Sequence, residues 1–196
     1  MAFAEKRWLG KMREELVGTA TGRVLEIGAG TGVNFAYYGD GAQVVATEID
    51  PYMLEKAREK LENSSTSKIE LRQASAEDLP FDDNSFDMVI DTLVLCSVQN
   101  PSKALSEIRR VLKPGGQFRV YEHVRYRSPI GAFFQDLVTP VWRWVGAGCH
   151  PNRDTLRYIR EAGFEVVEAE VKNTFPPVPP MVFARPHLKA IVTSPD

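Results

Sequence analysis

Short apolar runs alternate with amphipathic stretches along most of this chain, and the alternation predicts its elements. Residues 4–17 carry Trp8, Met12 and Leu16 at four-residue spacing, the signature of an amphipathic helix. Residues 23–27 read as a short buried strand, broken at once by Gly28, Gly30 and Gly32. A second apolar run at 43–47 precedes Pro51, whose fixed φ suits the first turn of a helix reaching about Leu61. Met53, Leu54, Ala57 and Leu61 form its inner face. After a polar turn at 63–68, residues 69–73 and 86–92 read as a third and a fourth strand, with a loop over 79–84 between them. Pro101 opens a helix that runs to Val111 and stops at Lys113-Pro114-Gly115-Gly116; a fifth strand follows at 117–124.

This β-α-β-α rhythm calls for a parallel sheet with helices on both faces, and such sheets bind ligands beyond the carboxyl ends of their strands. After Val124 the rhythm changes. Residues 128–148 are rich in bulky apolar side chains, and Pro140 is expected to split them into two helices. A helix at 152–162, ended by Gly163, leads to closing strands at 164–171 and 181–192 around a proline-rich turn at 176–180. The expectation is a single domain: an N-terminal helix (1–20), a binding core (22–124), a helical lid (125–162) and closing strands (163–196).

Composition narrows the classes. A chain of 196 residues that is 43% hydrophobic and 26% charged can bury one ordinary core. Its net charge of −2 offers no field for nucleic acid. Cys96 and Cys149 lie far apart with no CxxC pairing, which argues against a disulfide framework or a zinc site. The charged N-terminus and the lack of a bilayer-length apolar run predict a cytoplasmic protein.

The segment Val24-Leu25-Glu26-Ile27-Gly28-Ala29-Gly30-Thr31-Gly32 carries the chemistry. Glycines there let a ligand approach the backbone where a Cβ would clash. The spacing is GxGxG, with Val33 where a dinucleotide fingerprint has its third glycine, which disfavours a nicotinamide oxidoreductase. Glu26 can serve a cationic amino group. Glu48, at the end of the second strand, can accept hydrogen bonds from both hydroxyls of a ribose. Asp50 reads as the cap of the helix that begins at Pro51. The bland alternative is a tight turn beside a solvated strand end.

These residues resemble those of a class I S-adenosylmethionine (AdoMet)-dependent methyltransferase of the type 11 kind, over residues 24–124. The resemblance implies a Rossmann-like α/β sandwich: a mostly parallel seven-stranded sheet with an antiparallel last strand and helices on both faces. It implies AdoMet as cofactor, with Glu26, Gly28, Gly30, Gly32 and Glu48 around it. Ser75-Ala76-Glu77 matches the family's segment beside the adenine, with Ser75 in place of the usual aspartate. Thr92 and Leu93 stand where family members line the methionine end.

A narrower similarity is to the animal microsomal and lipid-droplet methyltransferases of small alkyl thiols. It is carried by Thr92-Leu93-Val94-Leu95-Cys96-Ser97-Val98, Glu122-His123-Val124, Phe134-Gln135, Pro140-Val141-Trp142, Gly148-Cys149 and Arg185-Pro186-His187. The chain departs from them in His150-Pro151 after Cys149, and the reading expects no N-terminal anchor of their kind. The implied acceptor is a thiol. The alternatives are C-, O- or N-methylation of a quinone or lipid, and a non-catalytic AdoMet-binding protein.

A thiol reacts as thiolate and needs only modest help from a base. His123, at the end of the fifth strand, is the candidate base, or else a half-buried packing residue. Glu122 either contacts the acceptor or partners an arginine such as Arg125. His150 is a second candidate on a loop, and His187 is taken as structural. Cys96, Phe133, Phe134, Trp142 and His150 are the candidate acceptor pocket. Lone cysteines are more often small buried hydrophobes. A face of the aromatic segment left exposed could instead dock on a membrane, with Arg125, Arg127 and Arg143 near lipid phosphates.

Overall fold

The computed structural model describes residues 2–63, 69–174 and 181–195. The turn at 176–180, most of that at 63–68 and the side chain of Trp8 lie outside the described residues. The elements run α1 (Ala2–Leu16), β1 (Gly22–Ile27), β2 (Ala42–Glu48), α2 (Pro51–Glu62), β3 (Ile69–Gln73) and β4 (Phe86–Thr92). They continue with α3 (Pro101–Val111), β5 (Leu112–His123), α4 (Pro129–Val145), α5 (Thr155–Glu161), β6 (Glu165–Asn173) and β7 (Pro186–Thr193). Two 3-10 turns lie at Val33–Tyr37 and Met181–Ala184.

The strand order is β3-β2-β1-β4-β5-β7-β6, parallel except for β7, which runs antiparallel to both its neighbours. The order reverses between β1 and β4, and this switch point is where such sheets open a crevice. The central strands are buried on both sides, which is why their apolar runs are nearly continuous. Leu25, Ile27, Val45, Val89 and Phe118 meet Leu105, Ile108 and Ile159 on one face. Val24, Val44, Ala46, Met88 and Ile90 meet Leu9, Met12, Leu16 and Ala57 on the other. Met53, expected inside α2, is exposed at the rim of a cavity.

The glycine loop leads into one 3-10 turn, and the left-handed φ of +72° at Gly32 starts it. Two expectations change. The last strand begins only at Pro186, because Met181–Ala184 is a 3-10 turn. Pro140 does not split the aromatic segment: α4 runs through it as one helix. An internal proline costs a helix about 3 kcal/mol, and here the turn before it is firmly docked. Gln135 is fully buried, its amide donating to the carbonyls of Pro151 at 2.8 Å and Phe183 at 2.9 Å and accepting Tyr126 N–H at 2.9 Å. Thr139, also buried, donates to the Gln135 carbonyl at 2.7 Å.

The other side of α4 faces outward. Ile130, Phe133, Phe134, Leu137, Val141, Trp144 and Val145 form an exposed apolar stripe, with Trp144 87% exposed. Phe133 and Phe134, placed in the acceptor pocket by the sequence, lie on this stripe and do not line the large cavity. Arg125 is paired with the Asp136 carboxylate at 2.5 and 2.6 Å. Among the described residues no helix is long and apolar enough to cross a membrane.

Candidate active site

A cavity of about 790 Å³ opens at the carboxyl ends of β1, β2 and β4, within the size range of small-molecule sites. A smaller depression, about 370 Å³, lies at the opposite ends of the strands around Asp83, Arg110 and Pro114. The larger cavity is lined by Glu26, Gly28, Gly30, Glu48, Ser75, Ala76, Glu77, Thr92 and Leu93, so nearly the whole expected cofactor set converges there. Gly32 does not line it: a Cβ at Gly32 would strike the Phe35 ring at 2.3 Å, so this glycine serves the 3-10 turn.

Gly30 has φ +57° and nothing within 4 Å of where a Cβ would stand, so its bare backbone faces open space. The Glu48 carboxylate fixes that backbone, accepting Gly30 N–H at 2.8 Å and Asp50 N–H at 2.9 Å. Asp50 caps α2 as expected, accepting from Tyr52 and Met53 N–H at 2.8 and 3.1 Å. On the adenine side of the resemblance, Glu77 accepts the N–H groups of Gln99 and Asn100 at 2.8 and 3.1 Å, joining the β3 loop to the start of α3.

Glu26 is buried at the end of β1, and burial lifts its carboxyl to about 7 against the pull of its hydrogen bonds from Tyr38 and Asn34. Asn34 donates to it at 2.8 Å and the Tyr38 hydroxyl at 2.9 Å. Asn34 also donates to Thr92 Oγ1 at 3.0 Å and accepts from the Arg13 guanidinium of α1. Arg13 itself lines the cavity. Arg13, Asn34 and Tyr38 are functional neighbours that the sequence reading missed. Asn34 and Tyr38 reach Glu26, and Arg13 reaches Asn34, because a 3-10 turn follows the glycines and α1 packs across it.

Leu93 has φ +64°, a strained conformation for a branched side chain, in the cavity wall next to Thr92. Val94, Ser97, Val98 and Ala147 continue this wall. Glu122 is a correction. It is fully buried below and does not line the cavity, its two oxygens accepting the N–H groups of Leu95 at 2.8 Å and Cys96 at 2.9 Å, so it positions the post-β4 turn. Burial raises Asp91 well above the usual carboxylate range, with the Glu122 charge beside it adding to the effect.

Behind the Leu93–Val98 wall the structure gathers residues that sequence spacing kept apart. The sulfurs of Cys96 and Cys149 are 3.5 Å apart, and His123 Nδ1 lies 3.8 Å from the first and 3.5 Å from the second. The Cys149 thiol is pulled down to about 5 by its contact with Cys96 and by His123. The expectation of two isolated cysteines is overturned. His123 packs at a tilt against His187, with ring centroids 4.5 Å apart, and does not line the cavity. Cys96, Trp142 and His150 are also absent from its lining; the His150 N–H instead donates to the Cys96 carbonyl at 2.7 Å.

Comparison with known proteins agrees with this geometry. The methyltransferase-domain family profile matches residues 25–120. The thiol S-methyltransferase TMT1B of Rattus norvegicus is 38% identical over 174 residues, covering 85% of this chain and 70% of that one. A demethylmenaquinone methyltransferase of Clavibacter sepedonicus is 39% identical over 183 residues, covering 84% and 74%. Among solved structures, a SAM-dependent methyltransferase from Methanosarcina mazei superposes with a TM-score of 0.71 at 20% identity, covering 89% of this chain and 93% of its own, which speaks to the fold alone. The open backbone at Gly30 and the two buried carboxylates at Glu26 and Glu48 fit a donor with an ammonium and a ribose. The chain belongs to the class I S-adenosylmethionine-dependent methyltransferases, as an enzyme related to the thiol S-methyltransferases.

Proposed function

We propose that this enzyme methylates the sulfur of a small lipophilic thiol. The observation that carries the reading is the 38% identity to a protein named a thiol S-methyltransferase, extending over 85% of this chain and so beyond the donor-binding core. The cavity is compatible with such an acceptor: past Thr92 its wall is Leu93, Val94, Val98 and Ala147, apolar surface that gains from covering an alkyl chain.

Bound in this cavity, AdoMet supplies an electrophilic methyl group on a sulfonium. The chain's own residues bind and orient. Glu26 takes the ammonium of the methionine end, with Asn34 and Tyr38 holding the carboxylate. Glu48 takes the ribose hydroxyls with the lone pairs left after Gly30 and Asp50. Ser75, Ala76 and Glu77 flank the adenine. Transfer between sulfurs is an in-line displacement, so alignment and exclusion of water carry most of the catalysis.

A second reading, C-methylation of a quinol, is favoured by the 39% identity to the demethylmenaquinone enzyme. The two separate in one experiment: turnover of methyl-labelled AdoMet against alkyl thiols and demethylated quinols. Labelled thioether formation is the expected result. Transfer to quinol with thiols inert would replace the thiol reading.

A further inference from the structure

The Cys96, Cys149 and His123 cluster lies outside the cofactor set, and its geometry is informative. Zinc bound to sulfur at about 2.3 Å and to imidazole nitrogen at about 2.0–2.1 Å, in a tetrahedron, sets S···S near ~3.8 Å and S···N near ~3.6 Å. The three ligand atoms here are 3.5 Å apart for the sulfurs and 3.5 and 3.8 Å for sulfur to nitrogen. They already occupy three corners of such a tetrahedron, with movements of a few tenths of an ångström left to make.

The chain holds these corners by other means. The Glu122 carboxylate grips the Cys96 N–H at 2.9 Å, and the Cys96 carbonyl accepts the His150 N–H at 2.7 Å, so the turn after β4 is tied to the loop after α4. Cys149 N–H donates to the Gly146 carbonyl at 3.0 Å, and the His123 ring is backed by His187. Two thiolates and a neutral imidazole around a dication make a neutral set, which suits a buried place. Three protein ligands with a fourth position free is the pattern of reactive rather than structural zinc. The cluster also borders the proposed acceptor space: Ser97 and Ala147 line the cavity, and the Cys96 sulfur lies 3.6 Å from Ser97 Oγ.

We propose that Cys96, Cys149 and His123 form a soft-metal site, taking zinc, whose fourth position receives the acceptor thiol. On entry the S–H bond of the thiol breaks, its proton passes to solvent, and a metal–sulfur bond forms, presenting a bound thiolate beside the donor cavity. This role for the fourth position rests on the thiol reading above.

The test uses the full chain, reduced and stripped with a chelator, then titrated with Zn²⁺ and with Co²⁺ as a spectroscopic probe. One equivalent is expected to bind, with sulfur-to-cobalt charge-transfer bands of a four-coordinate ion. Cys149→Ser, Cys96→Ser and His123→Asn should each weaken uptake by about 100-fold or more, since losing even a partner of a ligand costs about 10- to 100-fold, while AdoMet affinity, unchanged in each, shows that the variants fold. Adding an alkyl thiol should introduce a further sulfur-to-cobalt band. Reduced protein that takes up no metal, or Cys149→Ser protein that binds it as well as the parent, would overturn the site. Equal thiol methylation by metal-free and zinc-loaded protein would overturn the role of the fourth position and leave the thiol reading standing. Metal uptake with quinol methylation and no response to thiols would overturn that role together with the thiol reading, while the metal site itself stands.

Discussion

The Glu48 carboxylate accepts the backbone N–H of Gly30 at 2.8 Å, joining the end of β2 to the loop that leaves β1. One side chain therefore shapes the glycine cradle and offers its remaining lone pairs to a ribose. Replacing Glu48 with Ala removes both services. AdoMet affinity should fall about 10- to 100-fold, the effect of losing about 1.5–3 kcal/mol of hydrogen bonding to a charged acceptor. Calorimetric titration measures it; an unchanged dissociation constant would detach Glu48 from the donor.

Donor binding should also depend on pH through Glu26. Burial holds its carboxyl at about 7, so in the free protein it is largely protonated below that pH. The ammonium of AdoMet favours the ionised form, so binding must expel a proton at low pH. Affinity is then expected to be level just above pH 7 and to fall toward tenfold per unit below it. Measurements from about pH 5 to 7 stay below the titration of an α-amino group. Glu26→Gln should bind more weakly and show a flat profile. A parent profile equally flat would contradict the assignment.

The parts of this molecule legible in the sequence are those set by local chemistry. Strands β3 and β4 and helix α3 fall on the residues that periodicity and proline placement indicate, because a buried parallel strand or a Pro-opened amphipathic helix is specified within its own few residues. Much of the cavity lining was legible for the same reason: Glu26 and Glu48 stand at the carboxyl ends of their strands, and the glycines follow β1 directly. What escaped depends on tertiary contact. Asn34 reaches Glu26 and is itself held by Arg13 from a separate element, and Cys96 and Cys149 meet across 53 residues. The exposure of the aromatic stripe was not legible, because apolar periodicity marks a face without saying whether anything covers it.

That stripe yields a direct check. Phe133 and Leu137 are 63% and 66% exposed on α4, away from the cavity. Changing both to Gln should alter stability by no more than about 0.5 kcal/mol per site and leave the KM for the acceptor unchanged. Phe118→Ala, by contrast, empties a fully buried position and should cost about 3–5 kcal/mol. Chemical denaturation and steady-state kinetics read the two effects. A raised acceptor KM in the surface variant would return α4 to the pocket.

The glycine loop separates folding from binding, one glycine at a time. At Gly28 the φ is +56° and a Cβ would stand 2.4 Å from Val94 Cγ2, inside the turn that follows β4. Gly28→Ala must therefore displace Val94 as well as strain the backbone, and should lower the melting temperature, with a cost of about 2 kcal/mol or more from overpacking and left-handed strain. At Gly30 the φ is nearly the same, +57°, yet a Cβ would meet no protein atom within 4 Å. Gly30→Ala carries only the backbone penalty of about 1–2 kcal/mol, but its methyl group projects into the space the donor must fill. Thermal unfolding should thus penalise Gly28→Ala more, whereas AdoMet titration should penalise Gly30→Ala more. If both variants bound the donor as the parent does once their stability is allowed for, the cavity beside Gly30 would not be the donor site.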